Sequence, residues 1–294
     1  MKNIFLLFED KDTTFLPIFA TSNGFKNTKM EQIVIDNSKL CFIFYQDSLI
    51  VRSLAPDSAT VPTYKELSAL SLPPSGWLAV TTQDGLAVQA MSLPQPINLP
   101  EGWQSVGLRA SYELLSFEQY LQAGKAYQIL YWDNHSRFCP VCGTPTQQLE
   151  PIMKRCPACG YELYPRINTA IIVLVKRGED EVLLVHARNF RGSFKGLVAG
   201  FLEPGETLEQ CVAREVMEET GLQIAHIRYV ASQPWPYPSG LMVGFVADYQ
   251  SGEIKMQESE LSTAGFYHRD HLPEIPRKLS IARRLIDLWL ERKI

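Results

Sequence analysis

No stretch of this 294-residue chain is apolar over the roughly 20 residues that a membrane-spanning helix requires, so no such helix and no membrane partner are expected. The opening MKNIFLLFEDKD holds an apolar run too short for a signal peptide, with acids directly after it. The expected compartment is therefore the cytoplasm. Positive charge is in deficit: 28 Lys and Arg face 32 Asp and Glu, a formal net charge of −4. That balance leaves no basic footprint for tight non-specific nucleic-acid binding. Internal repeats and low-complexity segments are absent. Cysteine is sparse, with six in the chain, and Cys41 and Cys211 stand alone in apolar surroundings. Those two read as small buried hydrophobes rather than reactive thiols.

Apolar and aromatic content is ample for real cores, and the length asks for two or three folding units. Short apolar runs at Gln32–Asp36, Leu40–Tyr45, Ser48–Val51, Trp77–Thr81 and Leu86–Met91 read as strands between turn residues. Tyr64–Leu70 is a candidate short helix. Ser116–Asp133 has helical periodicity, with Phe117, Tyr120, Leu121, Ile129 and Leu130 on the apolar side. No catalytic motif falls in this part. Further on, Thr169–Val175, Glu181–Ala187, Gln223–Ser232 and Leu241–Tyr249 read as strands, and Ser280–Lys293 as a closing amphipathic helix. The expected architecture is α+β and multidomain. An α+β domain spans 1–134, a metal ribbon 135–165 and an α/β/α sandwich 166–294.

The remaining four cysteines fall as Cys139-Pro-Val-Cys142 and Cys156-Pro-Ala-Cys159, thirteen residues apart. Two tight turns offering four thiolates suit a closed, structural Zn²⁺ site. Gly143 and Gly160 follow the second cysteine of each pair, where the turn needs open backbone angles. A pair of disulfides is the alternative, out of place in a cytoplasmic chain.

Residues 200–222 read GFLEPGETLEQCVAREVMEETGL. Thr207 and Gln210 form a capping box and Gly221 marks a helix end, so a helix is expected over about 208–220. Glu215, Glu218 and Glu219 then share one face, while Leu208, Val212 and Val216 form the row that packs it down. Like charges so close repel unless a divalent cation sits among them. A solvated acidic face is the plain alternative, but it has no use for Gly200, Gly205, Arg214 and Gly221 at fixed offsets. The pattern is the Nudix box, which points to metal-dependent cleavage of a diphosphate.

Ten residues beyond the box comes Ser232-Gln-Pro-Trp-Pro-Tyr-Pro238. Its prolines stiffen the backbone, and Trp235 and Tyr237 offer flat faces to a base. Read from residues alone, they equally serve as plugs in a rigid corner. Ribbon, box and this segment together resemble the NADH pyrophosphatase (NudC-type) family of Nudix hydrolases. The family segment usually reads SQPWPFP, a variable residue, then Ser-Leu-Met; here Tyr237 replaces Phe and Gly240 replaces Ser. The resemblance covers about 135–294 by motif and the rest by domain order.

The resemblance implies hydrolysis of NADH and NAD⁺ to nicotinamide mononucleotide and AMP, and removal of NAD caps from RNA 5′ ends. It also implies a homodimer with zinc in the ribbon and Mg²⁺ or Mn²⁺ at the box. Carried over by position, Glu215 and Glu219 are metal ligands, Glu218 supports them or binds a second metal, and Ala199 adds its carbonyl. Glu260, upstream of Ala264-Gly-Phe-Tyr267, is a further ligand. Substrate residues implied are Phe201, stacking on the base, Tyr164, reaching the partner subunit, and Gln233, Pro234, Trp235, Pro236, Tyr237, Pro238, Ser239 and Gly240. Ala282 and Arg109 complete the implied set. Glu219 or a neighbouring carboxylate is expected to orient the attacking water. A broader dinucleotide or ADP-ribose pyrophosphatase is the alternative, and the aromatic-proline segment speaks against it. Loss of box glutamates, expected in an NAD-responsive binding protein, is not seen.

Overall fold

A computed structural model of the chain describes residues 39–81, 87–188 and 192–294. The strand expected at 32–36 lies outside them. In the N-terminal part, β1 (Cys41–Tyr45), β2 (Ser48–Ala55), β3 (Ser58–Thr60), β4 (Trp77–Thr81) and β5 (Ala87–Ser92) form one sheet in the order β3-β2-β1-β5-β4. A further strand, β6 (Trp103–Gly107), pairs with β2. Alternation along β1 splits its side chains between two cores. Phe42 and Phe44 join Tyr120, Ala123, Ala126 and Leu130 of α1 (Phe117–His135), while Cys41 and Ile43 face Leu67 and Leu70. Leu67 lies in a 3-10 helix, Tyr64–Ala69, where a short helix was expected. Ser116 caps α1 by accepting from the Gln119 amide. Phe117, expected on the apolar face, is instead exposed as the first residue of the helix.

The ribbon is a three-stranded sheet of β7 (Gln147–Glu150), β8 (Met153–Arg155) and β9 (Glu162–Leu163). The third sheet comprises β10 (Asn168–Arg177), β11 (Glu181–Ala187), β12 (Val198–Phe201), β13 (Gln223–Trp235), β14 (Gly240–Ser251) and β15 (Leu261–His268). Its order is β13-β14-β10-β11-β15, with β12 also on β10, and β10 runs parallel to β14. Helix α2 (Leu208–Thr220) covers one face and α3 (Ile281–Leu290) the other. Strand β10 shows why. Ile171, Val173 and Val175 pack with Val212 and Val216, while Ile172 and Leu174 pack with Leu285 and Trp289. The result is the expected α/β/α sandwich. Among the described residues, no helix is long and apolar enough to cross a membrane.

Strands β13 and β14 run farther than expected. Gln233, Pro234 and Trp235 pair with Met242, Leu241 and Gly240, so half of the aromatic-proline segment is strand rather than loop. Proline is tolerated because β13 lies at the sheet edge among the described residues and bonds on one side only. Its register slips at Gln223/Ile224, Ala225/Arg228 and Tyr229/Ala231.

Candidate active site and zinc centre

The local chemistry of the box folds as its sequence dictates. The Thr207 hydroxyl accepts from the Gln210 backbone amide at 3.2 Å, and the Gln210 side-chain Oε1 accepts from the Thr207 backbone amide at 2.8 Å. Gly221 closes α2 with φ 72°, in the left-handed region. Between these ends, Arg214 binds the loop to the helix. It donates to Glu206 at 2.6 and 3.0 Å, to Glu215 at 2.9 Å, to Glu218 at 3.0 Å and to the Phe201 carbonyl at 3.0 Å. Hydrogen bonding from Arg214 holds the Glu206 carboxyl down at about 2. With its donors spent on the scaffold, Arg214 sets the geometry of the box rather than reaching for substrate.

Glu219 is only 5% exposed. Burial, and then the negative charges of Glu215, Glu260 and Glu218, push its carboxyl up to about 8. Glu215 is likewise raised, chiefly by burial. A Cβ on Gly200 would lie 1.8 Å from Cδ of Glu215, so the carboxylate occupies space that only glycine leaves open. Gly200→Ala is expected to lower turnover of the substrate roughly 10- to 100-fold while the circular dichroism spectrum stays unchanged, because the Glu215 carboxylate must swing aside. Unchanged turnover would show that its placement is immaterial.

Among the described residues, only the four ribbon cysteines bring three or more metal-type donor atoms within 4.8 Å of one another. The glutamates are near enough for their charges to act on one another, with Glu215, Glu260 and Glu218 all raising Glu219. Their donor set is all oxygen, and one member is neutral near pH 7 unless positive charge arrives. Such a set fits a hard divalent cation.

Beside these carboxylates lies a cavity of about 560 Å³, within the usual span of small-molecule sites. Ala199, Phe201, Glu219 and Glu260 line it together with Trp235, Tyr237, Pro238, Ser239 and Gly240. Phe201 is 66% exposed, its ring free to receive a partner. Other residues implied by the resemblance stand elsewhere. Glu215 and Glu218 are not among the residues that line the cavity; Glu215 is largely buried beside Gly200, and the Glu218 side chain is 53% exposed. The Gln233 amide spans the start of α3, donating to the Leu279 carbonyl at 2.9 Å and accepting from the Ile281 amide at 2.7 Å. Pro234 lies in β13, and Ala282 is buried in α3 against the sheet. Tyr164 projects from the ribbon, 53% exposed, and donates to Glu162 at 3.1 Å. The Arg109 guanidinium lies 5.2 Å from the centre of the Trp235 ring and 6.0 Å from that of Tyr237.

Two features escaped the sequence reading. Arg188 also lines the cavity, its amide donating to the Glu260 carbonyl at 2.7 Å and its Nε to the Glu258 carbonyl at 2.5 Å. A lone arginine at a strand end carries no local signal. The second is the hydroxyl of Tyr237, which shares a 2.6 Å hydrogen bond with that of Tyr120 in α1. Burial raises the Tyr237 phenol far above its ordinary range.

In the ribbon, sulfur separations are 3.6 Å for Cys139–Cys159, 3.4 Å for Cys142–Cys156 and 3.7 Å for Cys142–Cys159. Tetrahedral Zn–S bonds of about 2.3 Å put sulfurs about 3.8 Å apart, whereas a disulfide needs about 2.0 Å. Gly143 and Gly160 take φ of 73° and 76°, as the two knuckle turns require. The four sulfurs fit Zn²⁺ with no open position, so the site is structural.

Comparison with known proteins agrees with this layout. The NUDIX domain family matches residues 165–289, the NADH pyrophosphatase zinc ribbon domain 134–164, and the NADH pyrophosphatase-like rudimentary NUDIX domain 38–132. A Pseudomonas aeruginosa protein named NAD-capped RNA hydrolase NudC is 46% identical over 211 residues, 71% of this chain and 75% of its own. The chain belongs to the NudC family of Nudix hydrolases. A NudC relative from Stutzerimonas stutzeri is 41% identical and covers 82% of this chain and 87% of its own. Another, from Chromobacterium violaceum, is 42% identical over 180 residues, 61% of this chain and 68% of its own. Against the NudC pattern, Tyr237 adds a hydroxyl that the structure puts to use on α1, and Gly240 lacks one on the cavity wall.

Proposed function

We propose that this protein hydrolyses the diphosphate bond of NADH and NAD⁺, giving nicotinamide mononucleotide and AMP, and removes NAD caps from RNA 5′ ends. One observation carries the reading: the box carboxylate of Glu219, the carboxylate of Glu260, an exposed Phe201 and Trp235, Tyr237 and Pro238 of the aromatic-proline segment share a single cavity. In this reading Glu215, Glu219, Glu260 and the Ala199 carbonyl hold Mg²⁺ or Mn²⁺, with Glu218 in support. When bound, such an ion neutralises diphosphate oxygens and acidifies a coordinated water. Glu219, ionised in that state, orients the water for in-line attack on phosphorus. Phe201 and Trp235 offer ring faces to the bases. Arg214 keeps the box glutamates in place.

The reading divides the chain into 1–134, 135–165 and 166–294, and takes the working form to be a homodimer. Tyr164 supports the dimer, since it stands exposed on the ribbon, ready to reach a neighbouring subunit. A cytoplasmic location is supported by cysteines spaced for metal rather than disulfides. The test is to incubate the purified protein with NADH, ADP-ribose and NAD-capped RNA under Mn²⁺ and compare kcat/KM. NADH and capped RNA are expected to exceed ADP-ribose at least about tenfold, a difference of 1.4 kcal/mol in transition-state binding. Equal or better use of ADP-ribose overturns the assignment in favour of a broader dinucleotide pyrophosphatase.

A further inference from the structure

One face of α1 meets the aromatic-proline segment at three successive turns. Tyr120, Gly124 and Gln128 are four residues apart and so stack along one side of the helix. The Tyr120 hydroxyl shares its 2.6 Å hydrogen bond with Tyr237. Gly124 lies against the Pro236 ring, so closely that an added Cβ would stand 3.0 Å from Cγ of the proline. Gln128 Nε2 donates to the Gly240 carbonyl at 3.4 Å. The Tyr237 ring also packs against the core of the N-terminal domain itself. Three contacts thus clamp the segment just where its other side, at Trp235, Tyr237 and Gly240, lines the cavity.

We infer that this α1 face fixes the position of the substrate-facing aromatic segment, with Tyr120 as a positioning residue acting through the Tyr237 hydroxyl. The N-terminal domain, which has no catalytic group of its own in the site, thereby sets how tightly the dinucleotide is held. It contributes little to how fast the diphosphate is cut, because none of the three residues lines the cavity or neighbours a box carboxylate. The inference rests on the assignment of the cavity as a dinucleotide site.

The test compares Tyr120→Phe, Tyr237→Phe, the double variant and Gly124→Ala with wild type, using NADH under Mn²⁺ at a temperature where circular dichroism shows all five folded. Each tyrosine variant leaves one buried hydroxyl without its partner, and KM is expected to rise roughly 5- to 10-fold with kcat within about twofold. The double variant removes both hydroxyls and should be no worse than either single one, the mark of one shared bond. Gly124→Ala favours the helix yet pushes on Pro236, so KM should rise without a fall in melting temperature. A KM unchanged in all variants, or tyrosine effects that simply add, overturns the inference. So does a fall in kcat at constant KM. Wild type in the same assay separates the two claims. Absence of NADH turnover there sinks the functional assignment, whereas turnover with unmoved KM in the variants sinks the positioning role alone.

Discussion

Glu219→Gln is expected to lower kcat for NADH about 10³-fold or more and to leave the fold intact. The side chain is isosteric, so the core around α2 keeps its packing. What disappears is the carboxylate that orients water and helps hold the cation, and losing a general base or an electrostatic stabiliser commonly removes 10²- to 10⁴-fold each. Near-wild-type turnover by a folded variant would overturn the mechanism.

The same substitution has a second readout, in metal-free protein. Burial and three neighbouring carboxylates raise the Glu219 carboxyl to about 8, whereas its unfolded value lies near the ordinary 4.5. Between those values the folded state holds a proton that the unfolded state has released. Stability therefore falls as pH rises through that window, by up to about 1.4 kcal/mol per pH unit from this group. Glutamine cannot titrate, so the variant should lose less stability between about pH 5 and 8 and melt higher than wild type at pH 8. Added Mn²⁺ should reverse the order, stabilising wild type more. Because the cation displaces that proton, its apparent affinity should climb as much as tenfold per pH unit up to about pH 8, then level off. Calorimetric melts with and without metal check each sign.

Removing the zinc is the second large effect. Cys156→Ser is expected to abolish zinc binding and unfold the ribbon. Three short strands cannot sustain themselves: Leu149, Ile152 and Tyr161 are exposed, and Met153 is the chief buried apolar side chain besides Cys139 and Cys156. Structural zinc supplies about 10–16 kcal/mol in isolated fingers, far more than so small a core. The damage should spread to α1. Lys154, only 5% exposed, donates to the Asp133 backbone carbonyl at 3.0 Å and pairs with its carboxylate at 2.6 Å. Its ammonium also lies 5.2 Å from the centre of the Trp132 ring. With the ribbon unfolded, the last turn of α1 loses that anchor. Zinc content and limited proteolysis between residues 137 and 165 measure both effects. A variant that keeps one zinc and resists protease would show that the site tolerates three ligands.

How much of this was legible beforehand depends on how local the signal is. Helix α2 was written in full, since its cap, its apolar row and its terminal glycine all lie within 15 residues. The ribbon was legible because metal spacing is itself a local pattern. Strand β6 was missed, as its WQSVG shows no clean alternation of buried and exposed positions. Strand β15 was missed too, because the Ala264–Tyr267 stretch drew notice only as a marker for Glu260. The Tyr237 hydroxyl was beyond reach of the sequence. Its partner lies 117 residues away, and only the docking of α1 brings the two together. Glu260 had no residue-level signal at all; it entered through resemblance, and it lines the same cavity as Trp235 and Tyr237.

Strand β13 carries a consequence for self-association. A sheet edge thirteen residues long, unpaired on its outer side among the described residues, ordinarily invites another copy to add a strand. Along this one the ladder slips at three points, His226 turns through a left-handed φ of 52°, and Pro234 has no amide to donate. A neighbouring chain finds no continuous row of donors and acceptors to match. Strand addition by a second copy is therefore disfavoured along β13, which closes that edge to fibrous growth.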